Sequence, residues 1–110
     1  MIKRLFPIAL FLLLISFSCE DSTVQEFDPP EGYKPRSGKT IYTKKCVACH
    51  GADGKLGSGG AKDLTISRMD STGIVSILRK GKNAMPRQIQ YFKSDEEVEN
   101  MVDYLKSMRK

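Results

Sequence analysis

Two cysteines separated by two residues and followed at once by a histidine restrict this chain more than any other part of its sequence. They are Cys46, Cys49 and His50. A Cys-x-x-Cys pair occurs in redox-active dithiols and in zinc sites, and the same pair followed by histidine is used to attach haem. Each of these uses needs a different fold around the motif. The remainder of the sequence therefore has to decide between them.

A redox dithiol and a zinc site both fit the sequence poorly. A thioredoxin-like dithiol lies at the start of a helix that follows a strand, whereas this pair comes at the end of a predicted helix and no segment alternates like a strand. A structural zinc ion takes four ligands. His50 is the single histidine of the chain and no cysteine follows Cys49. Asp53 or Asp63 would have to complete the shell.

Covalent haem attachment fits both the residue types and their spacing. Two thiols three positions apart can reach the two vinyl groups on one edge of a porphyrin and form thioethers with them. The following residue then lies under the ring, where the imidazole of His50 can take an axial position on iron. The sequence predicts one haem c, bound by Cys46, Cys49 and His50.

The second axial position requires another ligand, and methionine is the candidate because no second histidine exists. Met101 and Met108 lie on the apolar stripe of a predicted helix, where a core position is expected. Met69 stands between two charged residues at a helix entry. Met85 precedes Pro86, which disfavours helix at the residue before it. The sequence therefore predicts Met85 as the axial ligand, in an extended loop.

The first 18 residues have the features of a secretory signal. Two basic residues precede an apolar run over 5–15, which is shorter than the ~20 residues of a membrane span. Residues 12–19 resemble the lipobox of bacterial lipoproteins, in which cleavage leaves a lipid-bearing cysteine as the first residue. This resemblance implies lipid on Cys19. Two alternatives are cleavage at the same bond without lipid attachment, and retention of the apolar run as a membrane anchor.

The rest of the chain divides into two parts of opposite charge. Residues 19–36 are predicted as the lipid-bearing Cys19 and a flexible tether with three prolines, and residues 20–36 carry a net charge of −3. An extension that wraps the domain is the alternative for this segment. Residues 37–110 are predicted as the folded domain and carry a net charge of +6. A basic domain favours an acidic partner surface, and nucleic acid is not expected for an exported protein.

Three helices are predicted in the domain. The first runs from Ser37 to Val47, and the second from residue 70 or 71 to Lys80, before a glycine. The third begins at Ser94, which forms a capping box with Glu97 and precedes an i, i+3, i+4, i+7 apolar stripe. The domain is therefore predicted to be all-α, with a glycine-rich loop over 51–60.

Residues 37–110 resemble the class I cytochrome c family over nearly their whole length. The resemblance is carried by Gly38 and Tyr42 before the motif, by "CVACHG" and "GAKDL", by "AMP" around Met85, and by "NMVDYL" near the C-terminus. It implies a cytochrome c fold, with about three main helices around one covalently bound haem. It also implies that Met101 and Tyr104 pack across Gly38.

The resemblance departs from the family pattern at one place. Many members have a proline in the "GAKDL" region whose carbonyl accepts a hydrogen bond from the proximal histidine. Ala61 is predicted to occupy about that place, and a backbone carbonyl can serve there without the proline ring.

These features together predict a membrane-tethered, single-haem electron carrier rather than an enzyme. With His50 and Met85 as axial ligands, no position on iron is left for a substrate. The expected partners are a membrane-bound donor and a terminal oxidase or reductase. The expected location is the periplasmic face of a bacterial membrane, with a soluble periplasmic protein as the second possibility. The alternative functions are a haem c subunit of a larger oxidase or dehydrogenase complex, and a ligand-binding haem protein.

Overall fold

The structure, a computed structural model, describes residues 27–110. The predicted signal peptide and Cys19 lie outside the described residues. Within the described part, the secondary structure is helical, and the one extended pairing is an isolated bridge between Lys82 and Met85. No helix in this range is long and apolar enough to cross a membrane. The prediction of an all-α domain is confirmed.

Four helices form the domain: α1 (Gly38–Lys45), α2 (Val47–His50), α3 (Ser71–Lys80) and α4 (Asp95–Ser107). Each of the three longer helices begins at a side chain that accepts a hydrogen bond from a backbone N–H of the first turn. The acceptors are Ser37 for α1, Asp70 for α3 and Ser94 for α4. The predicted first helix is interrupted at Cys46, so the haem-type motif begins a separate helical turn.

The crossing of α1 over α4 depends on Gly38. A Cβ at this position would overlap the carbonyl oxygen of Asn100 and lie 2.6 Å from the Cβ of Tyr104. One turn further along α1, the rings of Tyr42 and Tyr104 pack with centroids 5.2 Å apart. The predicted packing of Tyr104 across Gly38 is therefore present, and it brings the two helices close together.

The core lies between α1, α3 and α4. Its buried apolar side chains are Ile41, Tyr42, Ile74, Leu78, Ile89, Phe92, Val98, Met101 and Val102. Only two of these residues come from the segment between α3 and α4, and the rest are on the helices. The three longer helices therefore supply a scaffold on which the motif and the loops are placed.

Residues 27–36, which we call the strap, lie against this scaffold ahead of α1. Phe27 packs on the core cluster, and Gly32 takes a left-handed φ of 78° in a turn closed by Tyr33 N–H on the carbonyl of Pro30. Tyr33 and Arg36 then hydrogen-bond to Glu97 of α4. The sequence predicted a flexible tether as far as residue 36. The structure differs because a buried carboxylate more than sixty residues away binds the end of that segment.

Candidate functional site

The predicted haem-attachment residues lie together on α2 and at its start. Cys46 precedes the helix, with its N–H donating to the Tyr42 carbonyl at 2.8 Å, and the His50 N–H donates to the Cys46 carbonyl at 2.9 Å. These bonds wind the motif into a single turn that continues from α1. Cys49 is exposed and Cys46 is half-buried, and no disulfide joins them. Both thiols are thus available for attachment.

The environment of Cys46 does not suit a redox dithiol. Burial, with a smaller contribution from the neighbouring Cys49, raises the pKa of its thiol to about 11. A reactive dithiol needs a lowered thiol pKa. Nor does the described part of the chain bring three His, Cys, Asp or Glu side chains together as a zinc site requires.

One ring nitrogen of His50 is held by a backbone carbonyl. His50 Nδ1 lies 3.1 Å from the carbonyl oxygen of Lys62. The sequence predicted that the backbone carbonyl at Ala61 would accept the hydrogen bond from the histidine ring. The structure gives this role to the carbonyl of Lys62, the next residue along the chain. A hydrogen bond at Nδ1 places the proton there and leaves Nε2 as the nitrogen that can bind a metal.

Backbone hydrogen bonds hold the segment after the motif close to it. The Leu56 N–H donates to the His50 carbonyl at 2.9 Å, and the Leu64 N–H donates to the Gly54 carbonyl at 2.9 Å. From the core, the buried Tyr42 hydroxyl donates to the Gly51 carbonyl at 2.6 Å. Burial raises the pKa of Tyr42 to about 12, which keeps this hydroxyl a donor at neutral pH.

Met85 is presented on a tight hairpin turn between α3 and α4. The N–H and carbonyl of Lys82 pair with the carbonyl and N–H of Met85 at 3.0 and 2.9 Å. Asn83 takes a left-handed φ of 53° inside the turn. At Gly81, which ends α3, a Cβ would lie 2.6 Å from the Met85 carbonyl oxygen. The predicted loop is therefore extended, as expected before proline, and is tightly constrained.

The other three methionines of residues 27–110 have packing roles. Met101 is 0% exposed in the core. The side chain of Met69 covers Gly73 of α3, and its sulfur lies 3.1 Å from the place that a Cβ of residue 73 would take. The methyl group of Met108 lies 3.2 Å from the place that a Cβ of residue 54 would take. Met85 is half-buried in a loop. Unlike the other three, it is held by the backbone pairing of a hairpin turn.

The residues around the motif fit a haem. Cys46 and Met85 both pack against the same core cluster, from different segments of the chain. A further set of apolar side chains packs on that cluster while remaining partly exposed: Val47, Leu64, Met69, Val75, Leu105 and Met108. A porphyrin is a large apolar disc, and it would remove such side chains from water. Two thiols, an oriented imidazole and apolar cover are the features that c-type haem attachment uses.

This helical fold and this motif define a small class I c-type cytochrome. Residues 34–105 match the family described as cytochrome C oxidase, cbb3-type, subunit III, and the chain belongs to that family. As a c-type cytochrome it binds haem c covalently and takes part in electron transport.

Two individual proteins are similar to this chain. A cytochrome c6 of Rippkaea orientalis is 29% identical over 109 residues, which cover 94% of this chain and 91% of that protein. A solved structure titled KustC0563 c-type cytochrome is similar with a TM-score of 0.58 and 25% identity, and the match covers 68% of this chain and 100% of that one.

Proposed function

We propose that this protein is a single-haem electron carrier in which Cys46 and Cys49 would bind the haem covalently, and His50 and Met85 would bind its iron. The observation that carries this proposal is the hydrogen bond between His50 Nδ1 and the Lys62 carbonyl. It directs the proton to one ring nitrogen and leaves the other for iron. When bound, the haem iron gains and loses a single electron.

The described residues have distinct tasks toward that group. The Lys62 carbonyl orients the imidazole of His50 and strengthens it as a donor. The hairpin at Lys82 holds Met85, whose thioether is a soft ligand that favours a higher reduction potential. With both His50 and Met85 bound to it, the iron would have no free position for a substrate, and the protein would transfer electrons without catalysing a reaction.

Export and a lipid anchor at Cys19 complete the proposal. A tether from the membrane would let the domain exchange electrons with partners at the periplasmic face. Basic side chains near the motif and the hairpin would face an acidic surface on such partners. The exposed members of this set are Lys55, Lys62, Lys80, Lys82 and Arg87.

A haem c subunit of an oxidase is the second candidate, and the family description of residues 34–105 favours it. The two functions differ in how firmly the protein is held by its partners. Purification from native membranes in mild detergent separates them. Recovery in a stoichiometric complex with oxidase subunits would favour the subunit function. Recovery of the protein alone would favour the carrier function.

The axial assignment is tested by substituting Met85. The holoprotein with Met85→Ala should keep its haem, lose the charge-transfer band of methionine-ligated ferric haem, and bind carbon monoxide when reduced. Its reduction potential should fall. Met69→Ala and Met108→Ala are the matched controls, because both side chains pack against glycines instead. Loss of the band in a control, with retention in Met85→Ala, would show that the ligand is misassigned.

The membrane assignment is tested separately at Cys19. The full chain with Cys19→Ser should leave the membrane fraction after a high-salt wash, with an unchanged haem spectrum. If that variant stays in the pellet, the protein is held by something other than lipid on this cysteine.

A further inference from the structure

The strap is bound to α4 through one buried carboxylate. Glu97 is 0% exposed. Its Oε1 accepts from the Arg36 N–H at 2.9 Å, from Arg36 Nε at 2.8 Å and from the Tyr33 hydroxyl, and its Oε2 accepts from Arg36 Nη2 at 2.7 Å. Arg36 also donates to the Tyr91 carbonyl at 2.7 Å and accepts from Asn100 Nδ2 at 3.1 Å. The end of the strap is thus fastened by six hydrogen bonds.

Release of the strap would leave Glu97 in an unfavourable state. Apart from the strap, this carboxylate accepts one hydrogen bond, from the backbone N–H of Lys93 at 2.9 Å. Release of the strap would break the other four hydrogen bonds and the ion pair, and the loss of these contacts opposes release. At the other end of the strap, Phe27 is packed on the core cluster. The bound form of the strap is therefore favoured at both of its ends.

We propose that the strap sets the working length of the membrane tether by keeping residues 27–36 on the domain. This inference rests on the lipid anchor at Cys19 in the proposed function. Seventeen tether residues would reach at most ~55–60 Å at ~3.3 Å per residue. With the strap bound, residues 20–26 remain between anchor and domain, and they reach at most ~23 Å at the same rise. The haem domain is thus confined to partners at the surface of its own membrane.

Removing the strap contacts without deleting chain is the first step of the test. The strap variant carries Tyr33→Phe and Arg36→Gln. The matched control carries Tyr91→Phe and Lys34→Gln, which make the same chemical changes outside the Glu97 contacts. Tyr91 meets Arg36 through its backbone carbonyl, so phenylalanine retains that bond. An unchanged haem spectrum in each protein shows that the domain is folded.

Strap binding is measured in solution on the full chain with Cys19→Ser, which needs no membrane. Amide hydrogen exchange at positions 33 and 36 should be faster in the strap variant by about tenfold or more. Losing one buried hydrogen bond to a charged group shifts the equilibrium between bound and released strap by about that factor. The control should exchange like the parent protein. Equal exchange in all three proteins would overturn the strap as a bound element.

Tether length is measured on the lipidated holoprotein in phosphatidylcholine vesicles that carry a headgroup fluorophore, which the haem quenches when it is close. Quenching should fall in the strap variant and remain at the parent level in the control. A third protein, with ten Gly/Ser residues inserted after Ser22, lengthens the tether with the strap intact and should also quench less. If the insertion lowers quenching and the strap variant does not, the strap does not limit the tether and the inference is wrong.

A failure of the lipid anchor gives a different result. The parent protein would then not associate with the vesicles at all, although the strap would still show slow exchange in solution. That outcome removes the tether from the proposed function and with it the inferred tether length. A strap variant too unstable to hold haem is replaced by Tyr33→Phe alone, which leaves the Arg36–Glu97 ion pair in place, with Tyr91→Phe as its control.

Discussion

The strap end of the domain, formed by residues 27–38 and α4, and the haem-facing side, which we propose is formed by residues 46–64 and 81–86, are held together by different means. At the strap end, Glu97 is fully buried and satisfied by an ion pair and several hydrogen bonds, and Gly38 lets α1 lie directly on α4. On the haem-facing side, the segments are fixed mainly by backbone hydrogen bonds, and their apolar side chains remain partly exposed. One side is complete without a cofactor, whereas the other requires one.

The same contrast explains how a short chain can form a stable c-type cytochrome. Small domains bury too little apolar surface to be very stable, and cofactors often make up the difference. Here the polar contacts of the strap end specify how the helices meet. The haem then covers the side that the chain leaves open. Each of the following substitutions tests one of these two contributions.

The largest effect is expected from removing the covalent attachment. With Cys46→Ala and Cys49→Ala together, the chain should carry no covalent haem and lose most of its helix, because the apolar side chains around the motif lose their cover. Far-ultraviolet circular dichroism measures the helix. Cys19→Ser is the cysteine control and should retain it. A double variant that still unfolds cooperatively as a helical protein would show that the strap end is stable by itself.

The second effect concerns the helix crossing. Gly38→Ala should lower the free energy of unfolding by about 3 kcal/mol, because the new methyl group meets the Asn100 carbonyl and the Tyr104 Cβ, neither of which can move independently. Denaturant titration of the holoprotein measures this change. Lys39→Ala, at the exposed neighbour, should alter stability by less than about 0.5 kcal/mol. Equal effects of the two substitutions would mean that the crossing is looser than the structure shows.

The third effect depends on pH. Burial alone would raise the pKa of Glu97, but the hydrogen bonds from Arg36 and Tyr33 and the backbone N–H groups outweigh it and lower the pKa to about 2, from an ordinary value of 4.5. A carboxyl whose pKa is lower in the folded state stabilises the fold fully above the unfolded value, and this stabilisation is lost as pH falls toward the folded one.

Acid titration of stability should therefore show a loss of about 3 kcal/mol between about pH 4.5 and pH 2 that belongs to Glu97. Glu97→Gln should remove this dependence and be less stable at neutral pH by about 2 kcal/mol. Glu96→Gln, on the exposed surface of the same helix turn, is the control and should keep the acid dependence. Identical acid profiles for the parent and Glu97→Gln would contradict the lowered pKa.

The smallest effect is expected in the glycine-rich loop. Gly60 has a φ of 80°, and a Cβ there would meet nothing within 4 Å. Gly60→Ala should therefore lower the free energy of unfolding by about 1–2 kcal/mol through backbone strain alone. The haem spectrum should not change. Ser58 does not have a positive φ, so Ser58→Ala should leave the free energy of unfolding almost unchanged. An altered spectrum in Gly60→Ala would show that this loop controls the Lys62 carbonyl and, through it, His50.

Much of the haem-facing side could be predicted because its signals are local. The Cys-x-x-Cys-His spacing is contained in five residues, and the capping residues of α1, α3 and α4 lie next to the helices that they begin. The extended loop at Met85 follows from the proline after it. Sequence reasoning placed the motif, the cap at Ser94 and the loop at Met85, because in each case the physical cause and the residue affected are close in the chain.

The hydrogen-bond acceptor of His50 and the role of Glu97 could not be predicted from local sequence signals. The shift of one residue, from Ala61 to Lys62, depends on how a glycine-rich loop with several left-handed residues closes. Glu97 was predicted as half of a capping box. The Ser94 hydroxyl does accept from the Glu97 N–H, but the Glu97 side chain binds Lys93 N–H and the strap instead.

The sequence by itself determined the cofactor class and the three longer helices, because short-range spacing and periodicity encode them. The tertiary structure decided that residues 33–36 belong with the domain and that Glu97 is the residue that binds them. Those partners are 61 to 64 positions apart, and nothing in the local pattern of either segment specifies the other. The ion pair between Glu97 and Arg36 forms only when the helices have packed, because packing removes the water that would otherwise solvate the carboxylate.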